Sequence, residues 1–267
     1  MPVNLSLTEQ APDTEHPYPH LRIESTTADY VYDLRGGGFA SLKDRKGREW
    51  IGHSGKQGPS GEFRGIPNLY FRGPERGFFH PGNADTKASR TTWTQTSLER
   101  AVITSESVDG NMKLQWTLTP RIAFLEILRS NPADPGFWFL YEGTPGGAFQ
   151  PEASLCIRST GETTPLTESW EAPLPAHSWV AFTDPEQEQA LLFWQEKADQ
   201  VYPDSYFPMN PMTVFGFGRR LGSVDNLITS TPARFAVALA PADRDTLIGL
   251  VAEGVSPWIL DPSSDTC

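Results

Sequence analysis

The stretch 101–119, AVITSESVDGNMKLQWTLT, decides the fold class. After Asn111, Met112, Leu114, Trp116 and Leu118 alternate with Lys113, Gln115, Thr117 and Thr119, the two-residue period of a strand with one face buried and one wet. Asp109-Gly110 accepts the positive φ values of a tight turn and joins this strand to the run 101–108, so the pair reads as a β-hairpin. Working outward, the same composition recurs at 20–24, 30–34, 39–42, 49–52, 90–98, 122–128, 137–142, 154–159, 178–183, 190–195, 212–218 and 234–239. The 23 glycines and 24 prolines fall between these runs as turn punctuation. More than a dozen strands in 267 residues favour two large stacked antiparallel sheets over a small barrel. One short C-terminal helix is expected, capped by Asp243, carrying Leu247, Ile248, Leu250 and Val251, and stopped by Gly254. The reading is an all-β chain: residues 1–17 a flexible tail, 18–267 a single-domain antiparallel β-sandwich.

The formal net charge of −11 repels phosphate backbones and anionic membrane surfaces, so neither nucleic acid nor membrane is expected as a partner. Two cysteines, Cys156 and Cys267, make neither a disulfide framework nor a zinc site, and no cofactor or metal is expected, although loop carboxylates leave calcium open. The N-terminal stretch lacks a basic region followed by an apolar one, which fits a cytoplasmic chain or a processed secreted form. Dinucleotide, Walker, zinc-protease and hydrolase-elbow motifs are absent.

The stretch 53–90 breaks the pattern. It shows neither helical nor strand periodicity through most of its length, and it carries a local charge of +3 in an acidic chain together with Phe63, Tyr70, Phe71, Phe78 and Phe79. Glycines and prolines around Arg64, Asn68 and His80 would hold those side chains in place, with His53 and Glu62 nearby. His80 is the first candidate for proton transfer because an imidazole titrates near neutrality. Tyr141 and Glu142 end an apolar strand, where rigid sites are built, and Asp204, Tyr206 and Arg219 form a third polar-aromatic group. Each has an ordinary alternative: a histidine bonded to a carbonyl, a tyrosine filling the core, an arginine paired with a structural acid.

The strand-dense layout, with an early loop carrying Arg64, Asn68 and His80 and a mid-chain Tyr141-Glu142, resembles the galactose-mutarotase-like β-supersandwich group of sugar epimerases and carbohydrate-active enzymes. The two spaced histidines and late glutamate of the mutarotases are not cleanly matched. Polysaccharide lyases sharing that sandwich use Tyr or His as base and Arg or Asn beside a uronate carboxylate. The resemblance therefore implies a lyase cleaving a uronic-acid-containing saccharide by β-elimination, with His80, Tyr141 and Arg64 catalytic and Asn68, His53, Glu62, Glu142, Asp204, Tyr206 and Arg219 binding substrate. A glycoside hydrolase drawing on Glu62, Glu142 or Asp204 would need two carboxylates about 5–9.5 Å apart. A mutarotase or epimerase, or a non-catalytic carbohydrate or small-ligand binding protein, remains open, as does the oligomeric state. The loop 53–90 is expected to cover the cleft, pinned by Phe78 and Phe79, with Arg64 and His80 turned toward Tyr141.

Overall fold

The computed structural model describes residues 4–51, 65–71, 78–79, 89–130, 136–175, 177–196, 203–218 and 228–259. Nineteen strands and one long helix lie among them, in three antiparallel sheets. The four-stranded sheet runs in order through β1 (Ser6–Gln10), β2 (His20–Glu24), β3 (Ala28–Asp33) and β4 (Gly38–Asp44). The six-stranded sheet orders β14 (Trp170–Ala172), β17 (Asp204–Met209), β18 (Met212–Phe217), β11 (Phe137–Gly143), β5 (Asn68–Phe71) and β6 (Phe78–Phe79). The nine-stranded sheet begins with β13 (Thr163–Pro165), β12 (Leu155–Arg158), β15 (Trp179–Thr183), β16 (Gln189–Gln195) and β19 (Ala233–Pro241). It continues through β10 (Ala123–Arg129), β9 (Lys113–Leu118), β8 (Arg100–Ser107) and β7 (Ser89–Ser97).

The diagnostic hairpin is β8 and β9, with Ile103 opposite Trp116 and Gly110 at φ +74° in the turn. Its alternation fixes its place: Leu114, Trp116 and Leu118 enter the main core, while Lys113, Gln115 and Thr117 face outward half-buried. Phe39 meets Trp116 edge-on, ring centroids 4.6 Å apart, so the four-stranded sheet packs on this half of the nine-stranded one. The six-stranded sheet covers the other half, where Phe139 stacks on Phe235 at 4.9 Å and Tyr141 packs on Phe193 at 4.7 Å. Reciprocal amide bonds between Phe39 and Ile66 join the two smaller sheets into one layer. A single apolar cluster runs through all three, from Leu5 to Leu239, and each ring buried in it stabilises by roughly 1.5–3 kcal/mol.

β19 belongs to two cores. Phe235, Val237 and Leu239 enter the main one, whereas Ala236, Ala238 and Ala240 face the second, under helix α1 (Arg244–Ile259). Small alanines let the helix approach, and Leu247, Leu250 and Val251 fill the space with Trp194 and Phe124. Asp243 caps the helix as expected, accepting the Thr246 amide at 2.9 Å. Gly254 does not stop it. A Cβ there would lie 2.4 Å from the Trp194 ring, so glycine permits close packing in mid-helix.

Two further expectations are corrected. Ser6–Gln10, assigned to a flexible tail, pairs residue by residue with β2, and Leu5 is buried in the core. Within the stretch 53–90, Asn68–Phe71 and Phe78–Phe79 are strands extending the six-stranded sheet beyond β11. Both are too short to show a period, which is why the sequence reads as loop.

Candidate functional site

The six-stranded sheet carries every candidate residue that lies among the described residues, and the pleat divides them. Phe137, Phe139 and Tyr141 of β11 enter the core, so Trp138, Leu140 and Glu142 face away from it, where Trp138 and Leu140 form a small cluster of their own. On β17, Tyr206 enters the core and Asp204, two residues earlier, shares its face. Glu142 and Asp204 therefore lie on opposite faces of one sheet and do not form a hydrolase pair across a cleft. Asn68 takes a register position opposite Leu140. His53, Glu62, Arg64, His80 and Arg219 lie outside the described residues, as does the expected closure of the loop over the cleft.

Tyr141 and Tyr206 are core residues. Tyr141 is fully buried and its hydroxyl donates to the Trp50 carbonyl at 2.7 Å. Gly143 permits that contact, since a Cβ there would fall 2.4 Å from the Tyr141 ring and 2.5 Å from the Trp50 oxygen. The Tyr206 hydroxyl donates to the Leu166 carbonyl at 2.6 Å. Burial raises the phenol of both well above its ordinary range. A base must lose its proton at working pH and reach substrate, and neither hydroxyl does so. The core reading of Tyr141 replaces the catalytic one.

Asp204 is different. It opens β17 at the mouth of the sandwich and lines a pocket of about 260 Å³ with Gln195, Glu196, Gly218, Arg234 and Phe235 among its walls. Leu191 and Phe193 enter the main core, so Gln195, next in that alternation, points the same way, and it stands opposite Phe235 in the ladder. Asp204 thus faces Gln195 and Phe235 from the other sheet. The pocket is the open end of the space between the two layers.

The carboxyl of Asp204 is buried, with 3% of the residue exposed. Desolvation pushes its pKa up to about 7, although the amides of Gly218, at 2.9 Å, and of Leu174 donate to it and work against that rise. Gly218 sits at φ +67°, and a Cβ there would come within 2.6 Å of Ile228, so the turn that aims its amide needs glycine. Arg234 on the same wall is held by Glu126 at 2.9 Å and Glu196 at 3.3 Å. Glu126 is not itself a lining residue, and the two carboxylates together commit the Arg234 guanidinium. Gln195 is 4% exposed and donates through Nε2 to the Ser178 hydroxyl at 3.0 Å.

The sequence marks Asp204 as a substrate-binding candidate but not Gln195, Glu196 or Arg234, because the first and last of these three read only as strand ends. The available signal was that the apolar run 190–195 ends on a polar residue and the apolar run 234–239 begins on one. Among the described residues no cluster of three metal-ligating side chains occurs, and no helix is long and apolar enough to cross a membrane.

No protein-family model matches the chain, and no curated protein matches it in sequence. Solved structures do resemble it. The crystal structure of HI1317 superposes with a TM-score of 0.52 at 9% identity, covering 88% of this chain and 99% of that one. A galactose mutarotase related enzyme from Lactobacillus acidophilus gives 0.49 at 10% identity, with 85% and 99% covered. The active YidC insertase gives 0.47 at 12% identity, covering 99% of this chain, which spans 48% of that protein's length. At these identities the likeness is one of fold. The chain is an all-β sandwich, and the HI1317 structure shares that fold over most of both chains.

Proposed function

We propose that this chain is a carbohydrate-active enzyme that uses Asp204 as its acid–base group on one uncharged sugar ring held at the mouth of the sandwich. The observation that carries this is the buried Asp204 carboxyl in a pocket between the sheets, with a pKa of about 7. A carboxyl with that value is partly protonated at neutral pH, so it can give a proton to a glycosidic or ring oxygen and take it back. Glu196, held by Arg234, also borders the pocket.

The pocket size sets the scale of the substrate. At about 260 Å³ it falls below the range of roughly 300–1,000 Å³ typical for drug-sized ligands, which suits one ring better than a polymer segment. Its charge sets the type. Arg234 is the one cation among the described lining residues and is already held by Glu126 and Glu196, which leaves none to bind a uronate carboxylate. Hydrolysis or epimerisation of a neutral sugar is therefore favoured over β-elimination from a uronate, the reaction drawn from the resemblance.

The test is a panel of neutral and uronic saccharides, followed by NMR for bond cleavage or anomeric and epimeric exchange and by ultraviolet absorbance for a new conjugated double bond. Turnover of a neutral substrate is expected, with an inflection near pH 7, and Asp204→Asn should lower it by about 10²-fold or more. Absorbance from a uronate substrate that persists in Asp204→Asn would overturn the proposal in favour of elimination.

A further inference from the structure

The mouth pocket contains a second fixed polar group, and its orientation is set from outside the pocket. Gln195 ends β16 opposite Asp204, with the Phe235 ring beside it. Its amide nitrogen is committed to Ser178, a fully buried residue whose carbonyl also accepts the Gln195 amide at 3.1 Å. A carboxamide has two ends: tying down the donor end fixes the acceptor end as well. With Nε2 held by Ser178, Oε1 is the group Gln195 offers to the pocket.

We infer that Gln195 is a specificity-determining residue of this pocket, selecting a ligand that donates a hydroxyl to its Oε1, and that Ser178 is the positioning residue that makes it an acceptor. The inference rests on the saccharide reading of the same site. Across the pocket the Asp204 carboxyl supplies the complementary donor, so the two sheets present one donor and one acceptor to a single ring, with Phe235 also lining the pocket. Adjacent hydroxyls on a sugar satisfy that arrangement, because each hydroxyl both donates and accepts. A ligand lacking the donating hydroxyl leaves the buried Gln195 oxygen without a partner, a loss that buried polar sites penalise strongly.

The experiment is isothermal titration calorimetry on the full chain with D-glucose, D-galactose, N-acetyl-D-glucosamine and the monodeoxy analogues of whichever binds most tightly. In the wild type, one deoxy analogue should bind at least tenfold more weakly than its parent. Gln195→Leu should lose that discrimination, binding parent and analogue alike, and Gln195→Glu should keep it. Ser178→Ala should also lose it, and Ser178→Thr, which retains a hydroxyl, should restore it. If Gln195→Leu does not fold, the Ser178 pair still decides the matter. Unchanged discrimination in Ser178→Ala or in a folded Gln195→Leu would overturn this inference and leave the proposed function standing. Failure of the folded wild type to bind any of these sugars would overturn the proposed function itself.

Discussion

Asp44 and Asp204 are equally hidden, each 3% exposed, yet their surroundings drive them in opposite directions. Asp44 sits at the end of β4. Desolvation acts to raise its pKa, but the Arg48 amide and guanidinium, the Trp50 indole and the Arg48 charge together outweigh it, so the carboxyl is lowered from its ordinary value. Asp204 lies deeper among protein atoms and meets a heavier desolvation with two backbone amides and no cation, and it rises. Low exposure alone therefore does not set the direction in which a carboxyl's pKa moves. What decides is whether the fold supplies a buried positive charge. At the β4 end it does: Arg48 reaches Asp44 at 2.7 Å, Asp184 at 2.8 Å and Glu186 at 2.9 Å, fastening the turn after β4 to the turn between β15 and β16. At the mouth it does not, and an acid able to exchange a proton near neutrality is left beside a pocket.

The largest effect should come from breaking the clamped side of this comparison. Arg48→Met leaves Asp44 and Asp184 buried without their cation and is expected to cost about 3–5 kcal/mol, read from the urea midpoint at pH 7 with an unchanged slope. The deficit should shrink as pH falls and Asp44 takes up its proton. A loss under about 1 kcal/mol would mean that solvent already screens the clamp.

A smaller effect should come from the mouth. Gly218→Ala places a Cβ against Ile228 at a positive φ, costing about 1–3 kcal/mol, and moves the amide that donates to Asp204. Losing that donor should raise the Asp204 pKa further and shift the pH inflection of activity upward. An unshifted inflection would show that the Gly218 amide does not govern the acid.

How much of this was legible beforehand follows from range. The period of two in β8 and β9 shows which residues of a strand share a face, and it identified the all-β class and the buried Trp116, while helix start signals identified the Asp243 cap. It cannot show which sheet will lie opposite. The Arg48 clamp joins residues 136 positions apart, and Gln195 meets Asp204 only because two separate sheets stack, so neither carries a local signal. β17 was hidden for another reason: Pro203 and Pro208 flank and interrupt Asp204–Met209, and proline argues against a strand inside a sheet. Tyr141 was misjudged because a strand end suggests a rim, whereas the six-stranded sheet places that end beneath the Trp50 carbonyl.

The most direct measurement is the titration of the Asp204 carboxyl itself, by carbon-detected NMR on the wild type with Asp204→Asn for assignment, alongside stability against pH. A midpoint near 7 is predicted, and with it a fall in stability as pH rises from about 4 to 7. The folded state then holds a proton that the unfolded chain has already released, a loss of up to roughly 4 kcal/mol. Asp204→Asn should remove that slope. A midpoint at the ordinary carboxylate value of 3.8, with stability indifferent to the substitution across that window, would contradict the account.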